Sequence, residues 1–163
     1  MDQSFTLAID EGGVSWCGRP IGIRPTYRAV ADAIGCDADR SFGSHGGRRR
    51  RYVYDSLGLS LLVRKDDDRV YWLMVDLEPA PWRPASDHDP AGWFRGDLSI
   101  GGRFLPRPIR THVAEDLRDV RWEHLSLAWT PHGRIMASVC VDFHLTQGPE
   151  GEGPLGVGEH VSR

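Results

Sequence analysis

From Arg51 to Leu77 the chain reads RYVYDSLGLSLLVRKDDDRVYWLMVDL, and no other stretch limits its fold so tightly. Two runs rich in aromatic and branched apolar residues flank Lys65-Asp66-Asp67-Asp68-Arg69, a charge cluster that an apolar core would not accept. Apolar runs on either side of a polar turn predict a β-hairpin. Val53, Leu57, Leu59, Leu61 and Val63 share one parity in the first run, and Tyr71, Leu73, Val75 and Leu77 do so in the second. Alternate side chains of a strand point to the same face, so each set is expected to line one side of a sheet. The opposite parity carries Tyr52, Tyr54, Leu62, Trp72 and Met74, which a solvated face would not. That side is expected to be either covered by more protein or a binding surface.

Shorter elements surround this stretch. Phe5 to Ile9 and Val14 to Cys17 read as strands joined by Glu11-Gly12-Gly13. Tyr27, Val30, Ala31 and Ile34 lie at helical spacing between Pro25 and Gly35, which predicts a short helix over Pro25 to Ile34. Cys36 to Arg51 reads as a loop. After a proline-rich stretch, Phe94 to Ile100 and Arg103 to Leu105 read as strands around Gly101-Gly102. A second short helix is predicted over Thr111 to Asp119, followed by a hairpin of Arg121 to Trp129 and Arg134 to Leu145.

The two halves therefore carry the same order of elements. GRPIGIRPTYRAVADAIG aligns with PRPIRTHVAEDLRDV, and VYWLMVDL with IMASVCVDF. The expected fold class is α+β: an antiparallel β-sheet with two short helices packed on one face, built as two tandem hairpin–helix–hairpin units. The units are expected over residues 1–79 and 93–146, joined by a proline-rich linker over 80–92 and followed by a disordered tail over 147–163.

A net charge of −3 over 163 residues gives no global attraction to nucleic acid or to an anionic membrane. No apolar run approaches the roughly 20 residues needed to span a bilayer. The N-terminus lacks the basic and apolar regions of a signal peptide. The three cysteines, Cys17, Cys36 and Cys140, are odd in number and lack metal-ligand spacing, which suits a reducing compartment. A cytoplasmic protein is expected.

The helix ending in Ile34-Gly35, the loop after it, and the strand containing Tyr54-Asp55-x-x-Gly58 resemble the small BamE-like domains, whose tandem form is the β-lactamase inhibitor protein. The segments YVYDSLGLSLLV and FRGDLSIGGRFL are also similar to uncharacterised bacterial domains, some of them near polymorphic-toxin loci. The N-terminal residues MDQSFTLAIDEGG do not read as the lipoprotein signal that BamE would lead one to expect, so an outer-membrane role is not expected. The resemblance implies a protein-binding or inhibitory scaffold.

No spacing announces catalysis. Asp142-x-His144 with His124 could place three metal ligands on one face, but such a strand pattern is more often a polar outer surface. Asp87-His88-Asp89 reads as solvated linker. The Gly-Gly pairs are turns that open no helix, and Ser56, Ser126 and Ser138 lack a nucleophile elbow. No catalytic residue, metal or cofactor is expected. The expected partner-binding residues are Tyr52, Tyr54, Trp72 and Met74, with Trp122 and His124 from the second half, and the basic run Arg48, Arg49, Arg50 and Arg51. Tyr, Trp, Met and Arg are the side chains enriched at interface centres. The expected partner is another protein, with no nucleic acid and no membrane. The expected function is that of an immunity protein that occludes a toxin, with a structural scaffold as the alternative and a small hydrolase or ligand-binding protein behind it.

Overall fold

A computed structural model of the protein describes residues 5–79, 88–117 and 120–145. In chain order the elements are β1 (Thr6–Asp10), β2 (Gly13–Trp16), β3 (Arg19–Gly22), α1 (Tyr27–Ile34), β4 (Arg40–Ser44), β5 (Arg49–Tyr54), β6 (Leu59–Arg64), β7 (Val70–Asp76), β8 (Asp97–Ile100), β9 (Arg103–Leu105), α2 (Thr111–Ala114), β10 (Ser126–His132) and β11 (Ile135–Asp142). The strands form two sheets. One has five strands in the order β3-β2-β1-β8-β9, and the other has six in the order β10-β11-β7-β6-β5-β4.

Alternation decides which side chains face inward. Leu7, Ile9, Val14, Trp16, Leu98, Ile100 and Leu105 of the five-stranded sheet are buried in the same cluster as Leu59, Leu61, Leu73, Val75, Leu127, Val139 and Val141 of the six-stranded sheet. Both sheets thus feed one core. Helix α1 closes part of it. Thr26 caps the helix by accepting a 3.1 Å bond from the Ala29 N–H, and Gly35 ends it in the left-handed conformation at φ 94°. Tyr27, Val30 and Ala31 enter the core from its apolar face, and Tyr27 stacks on Tyr52 with ring centroids 3.8 Å apart.

The expected α+β class is wrong: the protein is mostly β, with two sheets rather than one sheet under two helices. The reason is area. Helix α1 has eight residues, which makes it about 12 Å long. Six strands spaced at about 4.8 Å span roughly 24 Å, so α1 cannot cover their inner face. The second expected helix shrinks to the four residues of α2 plus a 3₁₀ turn over Glu115–Leu117, with Leu117 as its last described residue. The second sheet supplies the missing cover. Its strands were read as minor hairpins at the start of each half.

The halves do not form separate hairpin–helix–hairpin units either. Strand β1 pairs in parallel with β8, Leu7 opposite Leu98, and β7 pairs with β11, Val75 opposite Val139. Each sheet takes strands from both halves. The parallel β1–β8 pair also departs from the all-antiparallel expectation. Of the expected linker, residues 80–87 lie outside the described residues, as does the expected disordered tail over 147–163.

The hairpin expected from Tyr52 to Leu77 contains three strands. Asp55 to Gly58 forms a turn between β5 and β6, with Leu57 N–H bonded to the Tyr54 carbonyl. An even-length turn inverts the parity between the two strands, so Tyr52 faces the same way as Leu61, its partner in register, and Tyr54 the same way as Leu59.

Candidate functional site

Register separates the expected site residues. Tyr52, Leu61, Leu73, Val141 and Leu127 lie in one row across the six-stranded sheet, and all touch the core. Tyr54 is only 1% exposed; its hydroxyl donates to the Cys36 carbonyl at 3.2 Å, and burial pushes its pKa far above the ordinary tyrosine value. Trp122 also packs against the core. These three expected interface aromatics therefore support the inner face. Trp72 and Met74 have the opposite parity and lie on the outer face, in register with Leu62 and Asp142 and with Ser60 and Cys140 respectively. Both are half-buried. Desolvation on this outer face pushes the Cys140 thiol up to about 12, so it is no nucleophile near neutral pH.

The basic run splits in the same way. Arg51 lies over the Trp72 ring at 5.3 Å from its centroid, and Arg49 over Tyr71 at 4.8 Å. A guanidinium held flat on an aromatic ring gains cation–π energy and loses much of its rotamer freedom. Arg50, one residue between them, bonds instead to Ser41 Oγ at 3.1 Å. Arg48 precedes β5, and its carbonyl accepts from the Lys65 N–H. His124 is a surface residue 3.6 Å from Glu123. The run is thus not one basic patch, and two of its members belong with Trp72.

The outer face has further residues that the sequence reading left in loops. Arg40 and Phe42 of β4 stack at 5.3 Å, and Phe42 meets the His88 ring edge-on at 4.7 Å. Arg40 grips Asp55 with both arms, Nε to Oδ2 at 2.8 Å and Nη2 to Oδ1 at 2.7 Å, and also donates to the Asp89 carbonyl at 3.0 Å. Asp55 accepts in turn from the Ala91 N–H through its side chain and from the Gly92 N–H through its carbonyl, each at 2.9 Å. Residues 88–92 are therefore strapped to the β4–β5 end of the sheet. Neither β4 nor the strap was expected, and β4 carries a single large apolar residue, Phe42, too little alternation to mark a strand.

The hydrogen bonds from Arg40 hold the Asp55 carboxyl below the ordinary aspartate range. A depressed carboxylate pKa contributes stability above the unfolded value, about pH 4, and loses it as pH falls through the folded value. The melting temperature of the wild-type protein should therefore fall more steeply below about pH 4 than that of Asp55→Asn. Parallel pH profiles of the two would remove Asp55 from this role.

The remaining candidates for chemistry do not assemble. His144 Nε2 is 2.8 Å from Ser126 Oγ, and the Asp142 carboxylate accepts from the His144 backbone N–H at 2.9 Å, a link that ties the end of β11 to the start of β10. Among the described residues no group of three or more His, Cys, Asp or Glu could hold a metal ion. Asp87 lies outside the described residues, while His88 and Asp89 belong to the strap. A cavity of about 290 Å³ at the end of α1 is lined by Arg28, Ala31, Asp32, Gly35, Cys36 and Asp37. Arg28 and Asp37 pair across it at 3.3 Å with both side chains largely exposed, a contact of small energetic weight.

Fold and surface together define a two-sheet β domain with an aromatic and arginine-rich outer face. The family described as a domain of unknown function, DUF7738, matches residues 6–113, which are 108 of the 163 residues, and the chain belongs to it. The match takes in β1 to β9 and stops within α2, before the β10–β11 hairpin that completes the six-stranded sheet. Comparison with curated proteins and with solved structures gave no match.

Proposed function

We propose that this chain is a protein-binding module that acts by stoichiometric occlusion, without turnover, and that the outer face of the six-stranded sheet is its contact surface. The observation that carries this reading is the set of aromatic rings topped by arginines: half-buried Trp72 under Arg51, half-buried Phe42 under Arg40, and the buried Tyr71 under Arg49. Large rings held rigid by neighbouring groups are ordered before a partner arrives, which lowers the entropy cost of binding. The inner face is already committed to the core, so it offers no competing surface.

The specific form we propose is an immunity protein that masks the active site of a cognate bacterial toxin. It rests on the resemblance of Tyr52–Val63 and Phe94–Leu105 to domains near polymorphic-toxin loci. A cytoplasmic location goes with it, supported by the free thiols Cys17 and Cys36 at the surface, which suit a reducing compartment. Among the described residues no helix is long and apolar enough to cross a membrane.

The test is co-expression with the product of the neighbouring reading frame, which this reading requires to be a toxin. Trp72→Ala should stay folded, because Trp72 is half-buried outside the main core, and should lose protection. Truncating a central interface aromatic costs about 2 kcal/mol or more, roughly thirtyfold in affinity. A folded Trp72→Ala variant that protects as well as wild type would remove the outer face from the reading.

A further inference from the structure

We propose that Arg51 anchors an aspartate or glutamate side chain of the bound protein, and that Asp89 holds the place of that carboxylate in the free chain. This deepens the protein-binding reading of the outer face and rests on it.

Arg51 projects from β5 on the outer face, stacked on Trp72. Its Nη2 donates to Asp89 Oδ1 at 3.1 Å and, at 3.3 Å, to Ser60 Oγ. Its Nε is shut off from water and has no hydrogen-bond partner. A guanidinium is shaped to hold a carboxylate through two parallel bonds, and the Nε and Nη2 pair forms one such fork. Arg40 on the neighbouring strand shows the complete arrangement, with Nε and Nη2 both bonded to the Asp55 carboxylate. Arg51 shows half of it, because Asp89 engages Nη2 alone.

A buried donor left without an acceptor destabilises its surroundings. A carboxylate that closed on Nε and Nη2 together would remove that penalty and keep a charge-assisted two-point pair with the guanidinium, which a single neutral acceptor would not supply. Displacing the Asp89 side chain need not undo the strap. The backbone of residues 91 and 92 is held separately by Asp55, and the Asp89 carbonyl by Arg40. The aromatic surface beside Arg51 specifies a protein rather than a free anion, since Trp72 and Met74 offer apolar area that only a folded surface or an ordered peptide would cover.

The test uses the full ¹⁵N-labelled chain and two capped probes, an acetylated and amidated hexaglutamate peptide and its hexaglutamine counterpart. The glutamate peptide should move the Nε–Hε NMR resonance of Arg51, and the glutamine peptide should not. Asp89→Asn removes the internal competitor and should tighten glutamate-peptide binding about tenfold, as expected where the competent state is a minor fraction of the free protein. Arg51→Lys keeps the charge and loses the fork, and should weaken binding about tenfold. Melting temperatures of both variants establish that they are folded, and Arg51→Lys decides the matter should Asp89→Asn not fold. An unmoved Arg51 resonance, or a folded Asp89→Asn variant that binds no tighter than wild type, overturns the proposal. With the toxin as ligand, loss of binding in Trp72→Ala together with wild-type binding by Arg51→Lys and Asp89→Asn overturns the carboxylate anchor and leaves the interface standing. Wild-type binding by Trp72→Ala overturns the interface itself.

Discussion

Gly58→Ala should destabilise the fold by about 2–6 kcal/mol. Gly58 sits in the β5–β6 turn at φ +65°, a region that alanine enters only with strain. An added Cβ would lie 2.2 Å from the Phe94 nitrogen and 2.3 Å from the Trp93 carbonyl carbon. Both are backbone atoms, and neither can swing aside. The Phe94 N–H is bonded to the Asp76 carbonyl, and the Asp76 N–H to the Gly58 carbonyl at 2.9 Å, so the crossing segment and the turn are fixed to the same strand. Backbone strain and overpacking each cost about 1–3 kcal/mol. Together they remove a large share of the roughly 5–15 kcal/mol that holds a domain folded. Gly43→Ala is the control, because nothing lies within 4 Å of its added Cβ and its φ is not positive. Chemical denaturation of the two variants checks the prediction. Equal midpoints would mean that residues 93–94 do not cross over the turn.

The same crossing explains much of what the sequence could not show. Period-two alternation marks strands and their two sides, and it located β5, β6 and β7 within the Tyr52–Leu77 stretch. It does not say which strands join which sheet. The pairing of β1 with β8 spans about ninety residues and carries no local signature, because parallel partners need no turn between them. With that pairing unseen, the strands around Leu7 and Leu98 had no sheet of their own, and the helices were asked to cover the core. The helix signal itself was sound for α1, where Thr26 and Gly35 supply chemical ends. It overreached for α2, whose N-cap position is Arg110, with no side-chain capping bond.

The candidate site was legible in part for a related reason. Trp72, Met74, Arg49 and Arg51 were picked out by residue type, and the register places them on one outer face. Tyr52 and Tyr54 were grouped with them by counting through Asp55–Gly58 as if it were strand. Turn geometry, not propensity, sets parity across such a break. Arg40, Asp55 and Asp89 come together only through tertiary contacts between residues 15 to 49 positions apart, so no spacing rule would have assembled them.

Phe94→Ala should cost about 3–5 kcal/mol, the range for a large aromatic lost from a core. Phe94 is fully buried at 0% exposure and lies between the two sheets. Its ring meets Trp16 of β2 edge-on at 6.1 Å, and its N–H bonds to the Asp76 carbonyl of β7 at 2.6 Å. One residue therefore touches the five-stranded sheet through its side chain and the six-stranded sheet through its backbone. Removing the ring leaves a cavity where the sheets meet, and Gly96 narrows the room for repair: an added Cβ there would lie 2.6 Å from the Phe94 ring. Phe94→Leu keeps most of the volume and should cost less, about 1–2 kcal/mol. Phe104→Ala is the contrast, since Phe104 is 56% exposed on β9 and its loss should change stability by no more than about 0.5 kcal/mol. Urea unfolding followed by tryptophan fluorescence and by far-ultraviolet circular dichroism reads both the size of the loss and its cooperativity. Because the sheets share one core, the two signals should stay coincident in wild type and in Phe94→Leu. Separate fluorescence and circular-dichroism transitions, or a Phe94→Ala cost no larger than that of Phe104→Ala, would mean that the sheets are not joined through this ring.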